Sequence, residues 1–244
     1  MLPFWIALQF LSSLPIRLPG MPAQRELGRS LLFYPVVGLL LGSVLMALNL
    51  LLDGAPLLLH AALLLAAWVW LSGGLHLDGL ADSADAWLGG FGDRERTLTI
   101  MKDPRSGPIA VVTLVIVLLL KFTALVALIE AHHSPGLLLA PVIGRAAMLG
   151  LFLNTPYVRA GGLGQALADY LPRPLGFKVL GITAIACVLI AGWTGVTAVL
   201  AATVGFFWLR RLMIRRLGGS TGDTAGATLE LLEVLVLVVL ALSV

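Results

Sequence analysis

Apolar residues in this chain run in stretches of about twenty, without the three-to-four-residue spacing of a surface helix or the alternation of a half-buried strand. Stretches of that length cross roughly 30 Å of hydrocarbon. Seven are predicted, over residues 31–52, 57–75, 108–130, 136–154, 175–191, 195–212 and 226–243. The expected fold class is therefore all-α: a polytopic membrane helix bundle of about seven transmembrane helices, forming a single integral membrane domain over 1–244. Residues 1–16 are too short to span and lack the basic start of a secretory signal. Phe4, Trp5, Leu8, Phe10, Leu11 and Leu14 suggest a short helix at the membrane interface, stopped by Pro15. It would serve as an anchor or as an entry for an amphiphilic substrate.

Composition agrees. The chain is 59% hydrophobic and 12% charged, with a mean hydropathy of +1.00, whereas soluble domains carry roughly 25% charged residues. A pI of 9.4 would suggest nucleic acid if the bases formed a patch. They do not. Fourteen of the sixteen lie in alternate connections: Arg17, Arg25 and Arg29; Arg94, Arg96, Lys102 and Arg105; Arg159, Arg173 and Lys178; Arg210, Arg211, Arg215 and Arg216. The connections near Asp53, His132–His133 and Trp193 have none. The positive-inside rule then predicts a cytosolic N-terminus in a bacterial inner membrane, with the lipid bilayer and not nucleic acid as partner. Cys187, the single cysteine, lies in an apolar run and reads as a small buried hydrophobe.

The longest cytosolic connection, residues 72–108, holds six of the thirteen acids. Asp78, Asp82 and Asp85 stand at i, i+4 and i+7. If the second span continues as helix, they project within about 60° of one another. Stacked like charges call for a counter-ion, and carboxylate oxygens with a substrate phosphate are what Mg²⁺ prefers, Mn²⁺ being an alternative. The competing reading is a solvated acidic helix end. Gly79 would let metal or phosphate approach the backbone beside Asp78. In MKDPRSGP, Asp103 offers a further carboxylate, and Lys102 and Arg105 offer cations to phosphate oxygens. Lys121 and Arg145 fall near mid-depth, where a charge needs either an acidic partner or a ligand; Glu230 and Glu233 are the acids closest in depth. His76 could reach the same cavity. Gly222, Asp223 and Gly226 open the last span, either as a close-packing stripe or as a phosphate pocket with Asp223 as ligand or base.

Together, HLDGLADSADA at 76–86, MKDPRSGP at 101–108, Lys121 in KFTAL and GDTAGATLE at 222–230 resemble the cobalamin synthase family, the adenosylcobinamide-GDP ribazoletransferases. The opening LQFLSSLPI at 8–16 is similar too, and the resemblance covers essentially the whole chain. One departure is Pro104, where the family often has serine. The resemblance implies attack by a hydroxyl of α-ribazole, or of its 5′-phosphate, on the corrinoid-linked phosphorus of adenosylcobinamide-GDP, with release of GMP. It implies Mg²⁺-assisted chemistry at the cytosolic face. Asp82, Asp103 and Lys121 are then the candidate catalytic residues, and Asp78, Asp82 and Asp85 the metal ligands. His76, Lys102, Arg105, Arg145, Gly222, Asp223, Gly226 and Glu230 are the candidate substrate contacts. A homo-oligomer, or a complex with other enzymes of cobalamin assembly, is left open. The acidic helix is also similar in outline to the CDP-alcohol phosphotransferases, although their Ala-Arg and later paired aspartates are missing.

Two other functions compete. A lipid-linked phosphotransferase or prenyltransferase would share the aspartate helix but not GDTAGA. An ion-coupled transporter would line its path with Lys121 and Arg145, but the chain has no internal repeat and its acids gather on one face.

Overall fold

The computed structural model describes residues 1–159 and 161–244. Its helices, in chain order, are α1 (Leu2–Leu11), α2 (Gln24–Ser30), α3 (Tyr34–Leu51), α4 (Leu57–Ser72), α5 (Leu75–Gly89), α6 (Arg94–Ile100), α7 (Pro108–Glu130), α8 (Pro135–Asn154), α9 (Leu163–Asp169), α10 (Arg173–Leu217) and α11 (Gly222–Ala241). No strand occurs among the described residues, so the all-helical polytopic bundle holds. Five segments are long and apolar enough to cross a membrane, Gln24–Leu51, α7, α8, α10 and α11; the bent pair α4–α5 makes a sixth if taken as one span.

α10 is not one straight helix. Gly192 leaves helical geometry (φ 55°, ψ −129°), and a Cβ on Gly195 would fall on the carbonyl of Cys187. Residues eight apart in a helix are about 12 Å apart along the axis, so the chain folds back here into a hairpin. Its arms coincide with the predicted segments 175–191 and 195–212. Elsewhere the predicted boundaries move. The second segment ends at Ser72 rather than continuing into the aspartates: Gly73 and Gly74 both take left-handed φ, 71° and 70°, and turn the chain by 89° into α5. The last segment begins at Gly222, because Thr221 and Thr224 form a reciprocal capping box that starts α11 earlier than hydropathy suggested.

The predicted interfacial helix is α1. It buries Ile6, Ala7, Leu8 and Leu11 in a core that includes Leu31, Tyr34 and Met148. α8 is buried along nearly its whole length. It packs tightly on α3, where a Cβ on Gly38 would lie 2.5 Å from the Pro141 carbonyl oxygen.

Inside this core, Lys121 of α7 donates to Glu230 and Glu233 of α11, each at 2.7 Å, and Arg145 of α8 donates to Glu233 at 2.5 Å. All four side chains are essentially closed to solvent. Lys121 also stands 5.0 Å above the Trp68 ring of α4. The two mid-depth cations thus meet the acids expected from their depth, and α7, α8 and α11 are keyed together at one level.

α5 is a crossbar over the ends of these spans. A Cβ on Gly79 would lie 2.8 Å from the Asp223 carbonyl oxygen, and one on Gly226 would lie 3.2 Å from the His76 backbone, so α5 crosses the start of α11 backbone to backbone. Further along, Asp85 accepts from the Gly107 and Ala110 amides at 2.5 and 2.9 Å, capping α7 from another helix. At its far end, the Trp87 carbonyl accepts from Arg216 at 2.7 Å.

Lys121→Met should leave Glu230 and Glu233 short of a buried counter-charge, a loss of about 3–5 kcal/mol. A large fall in melting temperature is expected, with substantial recovery in the Lys121→Met, Glu230→Gln double variant, since Glu230 has no other cation partner among the described residues. Equal melting temperatures for wild type and single variant would contradict this pairing.

Candidate active site

Three short segments converge where α5 crosses α11. Gly218, with φ 76°, ends α10 as its left-handed cap. Ser220 then pairs with Tyr157: Ser220 donates to the Pro156 carbonyl at 2.8 Å, and Val158 donates to the Ser220 carbonyl at 2.9 Å. A Cβ on Gly219 would collide with that same Pro156 carbonyl, so no larger residue fits. This short pairing carries Tyr157 and Arg159 to the start of α11. There Arg159 donates to Asp223 at 2.8 Å, and the Tyr157 ring stacks on Phe152 at 6.0 Å with planes 19° apart.

From the α5 side come Asp78, which is exposed, and Asp82, which is half-buried. α5 lies across the span ends rather than within one. Burial, then the negative charges of Asp78, Asp223 and Asp85, push the Asp82 carboxyl up to about 6, with Arg159 acting against them. Like charges are thus crowded at Asp82, with one guanidinium opposing them.

The predicted trio is only partly preserved. Asp78, Asp82 and Asp85 do lie on one helix, but both oxygens of Asp85 are taken by the amides at the start of α7. No three His, Cys, Asp or Glu side chains among the described residues form a metal-holding group. Asp78 and Asp82 nevertheless fit a hard divalent cation: Mg²⁺ is commonly held by one or two carboxylates, with substrate phosphate and water completing its shell.

The other predicted residues divide into two groups. Lys121, Arg145 and Glu230 belong to the buried ion cluster beneath the crossing. His76 lies against Gly226, 2% exposed, with neither ring nitrogen hydrogen-bonded. Gly226 serves the close crossing, while Gly222 and Asp223 face the converging segments. The charged residues of the MKDPRSGP loop stay apart: Asp103 accepts from the Arg105 amide, Nε and Nη2 at 3.1, 2.9 and 2.7 Å, and the Arg105 side chain holds the Asp103 carboxyl down at about 2. Lys102 is exposed. None of these three is among the main influences on Asp82. The loop touches the site through Met101, whose sulfur accepts from Thr221 at 3.2 Å, and through Gly107, whose amide donates to Asp85.

Tyr157 and Arg159 were not singled out from the sequence. Arg159 counted only as one of the cytosolic bases. The signal that could have found it is the aromatic and the basic residue of YVRA at 157–160, just ahead of the glycine-rich stretch GGLG at 161–164.

A family model described as cobalamin-5-phosphate synthase matches residues 3–241. Proteins named adenosylcobinamide-GDP ribazoletransferase are similar along their full length. The one from Pseudomonas savastanoi pv. phaseolicola is 78% identical over 99% of this chain and 100% of its own. That of Pseudomonas fluorescens Pf-5 is 77% identical over the same shares, and that of Pseudomonas entomophila 69% over the whole of both chains. No solved structure matches. The chain belongs to the cobalamin-5-phosphate synthase family.

Proposed function

We propose that this chain is an adenosylcobinamide-GDP ribazoletransferase. It transfers the phosphocobinamide group of adenosylcobinamide-GDP to α-ribazole or α-ribazole 5′-phosphate, releases GMP, and forms adenosylcobalamin or its 5′-phosphate. Its relatives' names support the substrates. The observation that carries the chemistry is the convergence of Asp78, Asp82, Asp223 and Arg159 at one end of the bundle.

Such a transfer makes a bond from the acceptor oxygen to the corrinoid-linked phosphorus and breaks the bond from that phosphorus to the GMP oxygen. Catalysis is then mostly positioning and charge neutralisation. Asp78 and Asp82 would hold Mg²⁺ (or Mn²⁺), which supplies positive charge to the diphosphate oxygens. Arg159 spends one nitrogen on Asp223, which leaves the rest of its guanidinium for phosphate oxygens of the donor. Asp223, oriented by that bond, accepts the proton of the attacking hydroxyl. Asp103, Lys102 and Arg105 lie on the rim of the same end, where they would meet the substrate only if the exposed loop closes over it. The acidic end faces the cytosol of the inner membrane in this reading, because the bases cluster there.

Asp82→Ala should reduce GMP release by at least about two orders of magnitude, in line with losing a preorganised electrostatic group, while the protein stays folded. Near wild-type turnover would remove Asp82 from the site. Mn²⁺ binding followed by electron paramagnetic resonance should weaken as pH falls through about 6, because protons and cation compete for the same carboxylates and the charged form exists above that value. Binding that is flat across this range would separate the cation from Asp82. Asp85→Ala should lower the melting temperature by removing the cap of α7, a loss of about 1–2 kcal/mol, yet its remaining activity should keep the same cation requirement. A loss of cation affinity in that variant would restore Asp85 to the metal site.

A reporter fused after Val244 should read as outside and one inserted near Glu95 as cytosolic. The opposite readings would invert the orientation.

A further inference from the structure

Beside the carboxylates lies a cavity of about 250 Å³. Its walls come from four helices and the paired segment: Phe10 of α1, Met148 and Phe152 of α8, Tyr157, Leu167 of α9, and Ala225 of α11. Arg159 and Gly222 form its edge toward the site. Resting on the transferase reading above, we propose that this cavity receives the apolar heteroaromatic base of the acceptor nucleoside, so that the attached ribose faces Asp223.

Three observations carry this. The first is shape. The Phe152 and Tyr157 rings stand nearly parallel, 19° apart, and present flat faces suited to another planar ring. Met148 adds an adaptable thioether to the same wall.

The second is polarity. α-Ribazole carries a dimethylated benzimidazole, whose edge is mostly carbon. The competing ring, the guanine of the donor, has several donors and acceptors on its edge, each costly to bury without a partner. Tyr157 and Arg159 are the only polar side chains of this cavity among the described residues. The Tyr157 hydroxyl is already crowded against the backbone: a Cβ on Gly164 would lie 2.6 Å from it and one on Gly222 3.9 Å. Arg159 gives one nitrogen to Asp223 and keeps the others for the donor's phosphate oxygens. The lining therefore suits a benzimidazole better than a guanine, whose several edge donors and acceptors would go unpaired.

The third is position. Gly222 lines the cavity and Asp223 is the next residue on α11. Arg159 lines the cavity and also holds Asp223. A base in this cavity brings its sugar hydroxyls to the carboxylate that would take their proton, and leaves the opposite side of Asp223, toward Asp78 and Asp82, for the diphosphate. The amphipathic α1 acquires a role here beyond anchoring, since its Phe10 closes one wall.

Two variants of the full-length protein in detergent or nanodiscs test the assignment. Ala225→Met fills the cavity, and Phe10→Ala opens its wall from a half-buried position that can lose its ring without breaking the core. Steady-state GMP release is measured with each substrate varied in turn, and 5,6-dimethylbenzimidazole is used as a probe that competes without reacting. In wild type the probe should compete with the acceptor and not with the donor. Both variants should raise the acceptor KM by about tenfold or more, the scale of a misfitted hydrophobic pocket, with the donor KM within about twofold. Phe10→Ala keeps the test valid even if Ala225→Met fails to fold. A raised donor KM with unchanged acceptor KM would put guanine in the cavity and overturn the proposal. Unchanged KM for both substrates in either folded variant would also overturn it, leaving the cavity to a lipid chain. Wild-type protein that releases no GMP with any acceptor would sink the transferase reading itself, an outcome separate from either of these.

Discussion

Glu233 is a carboxylate closed to solvent that accepts from a lysine on one neighbouring helix and an arginine on another. A buried acid of this kind is tolerated only while both partners stay in place. Its helix, α11, therefore cannot slide or rotate against α7 and α8 without stranding charge in the bilayer. Asp223, Gly226 and Glu230 precede Glu233 by ten, seven and three residues and project from neighbouring positions around α11. The depth and rotation fixed by the ion cluster are thus transmitted directly to the carboxylate at the helix start and to the glycine that admits α5. The crossing of α5 and α11 inherits its geometry from a salt-bridge cluster two to three turns further along α11.

The same dependence runs through the backbone approaches at the end of the bundle. α5 can lie on α11 because Gly79 and Gly226 carry no Cβ, and the segment bearing Arg159 can reach α11 because Gly219 carries none. These contacts are local and specific, whereas the apolar matching of membrane helices with one another and with lipid is nearly uniform. Specificity in such a bundle comes from packing of small residues and from polar pairs, and both kinds meet at this one crossing.

This division explains what could be read from the sequence. The spans were legible because hydrocarbon thickness imposes a length on every one of them, and the Lys121 and Arg145 partners were legible because depth limits the choice. The hairpin at Gly192 was legible as two apolar segments although its helices join without a loop. The turn at Gly73–Gly74 was not, because two left-handed glycines reverse what a continuing hydropathy pattern suggests. Asp85 looked like its neighbours because spacing on one helix says nothing about an amide group arriving from another helix twenty-two residues later. Arg159 was invisible for a similar reason: its partner is sixty-four residues away, joined through a pairing that depends on a single glycine.

The charges at this end of the bundle are sorted by helix polarity. Arg94, Arg173, Arg210 and Arg216 donate to main-chain carbonyls at or near helix C-terminal ends, those of Leu217, Leu153, Asn154 and Trp87, where exposed carbonyls and the negative end of the dipole favour cations. The acids occupy the complementary places. Asp93 caps α6, Asp85 caps α7, and Asp78 and Asp223 stand in the first turns of α5 and α11. These four bases are therefore consumed in holding helix ends, and they do not neutralise the aspartates wholesale. Asp82 is the exception among the acids of α5 and its surroundings. It sits in mid-helix, has no ion pair or cap among the described residues, and is pressed by three neighbouring carboxylates. A fold that commits Asp85 and Asp93 to backbone amides and Asp223 to Arg159 leaves Asp82 without a counter-charge of its own, and a transferase whose donor carries a diphosphate has reason to keep one carboxylate uncommitted beside that arginine.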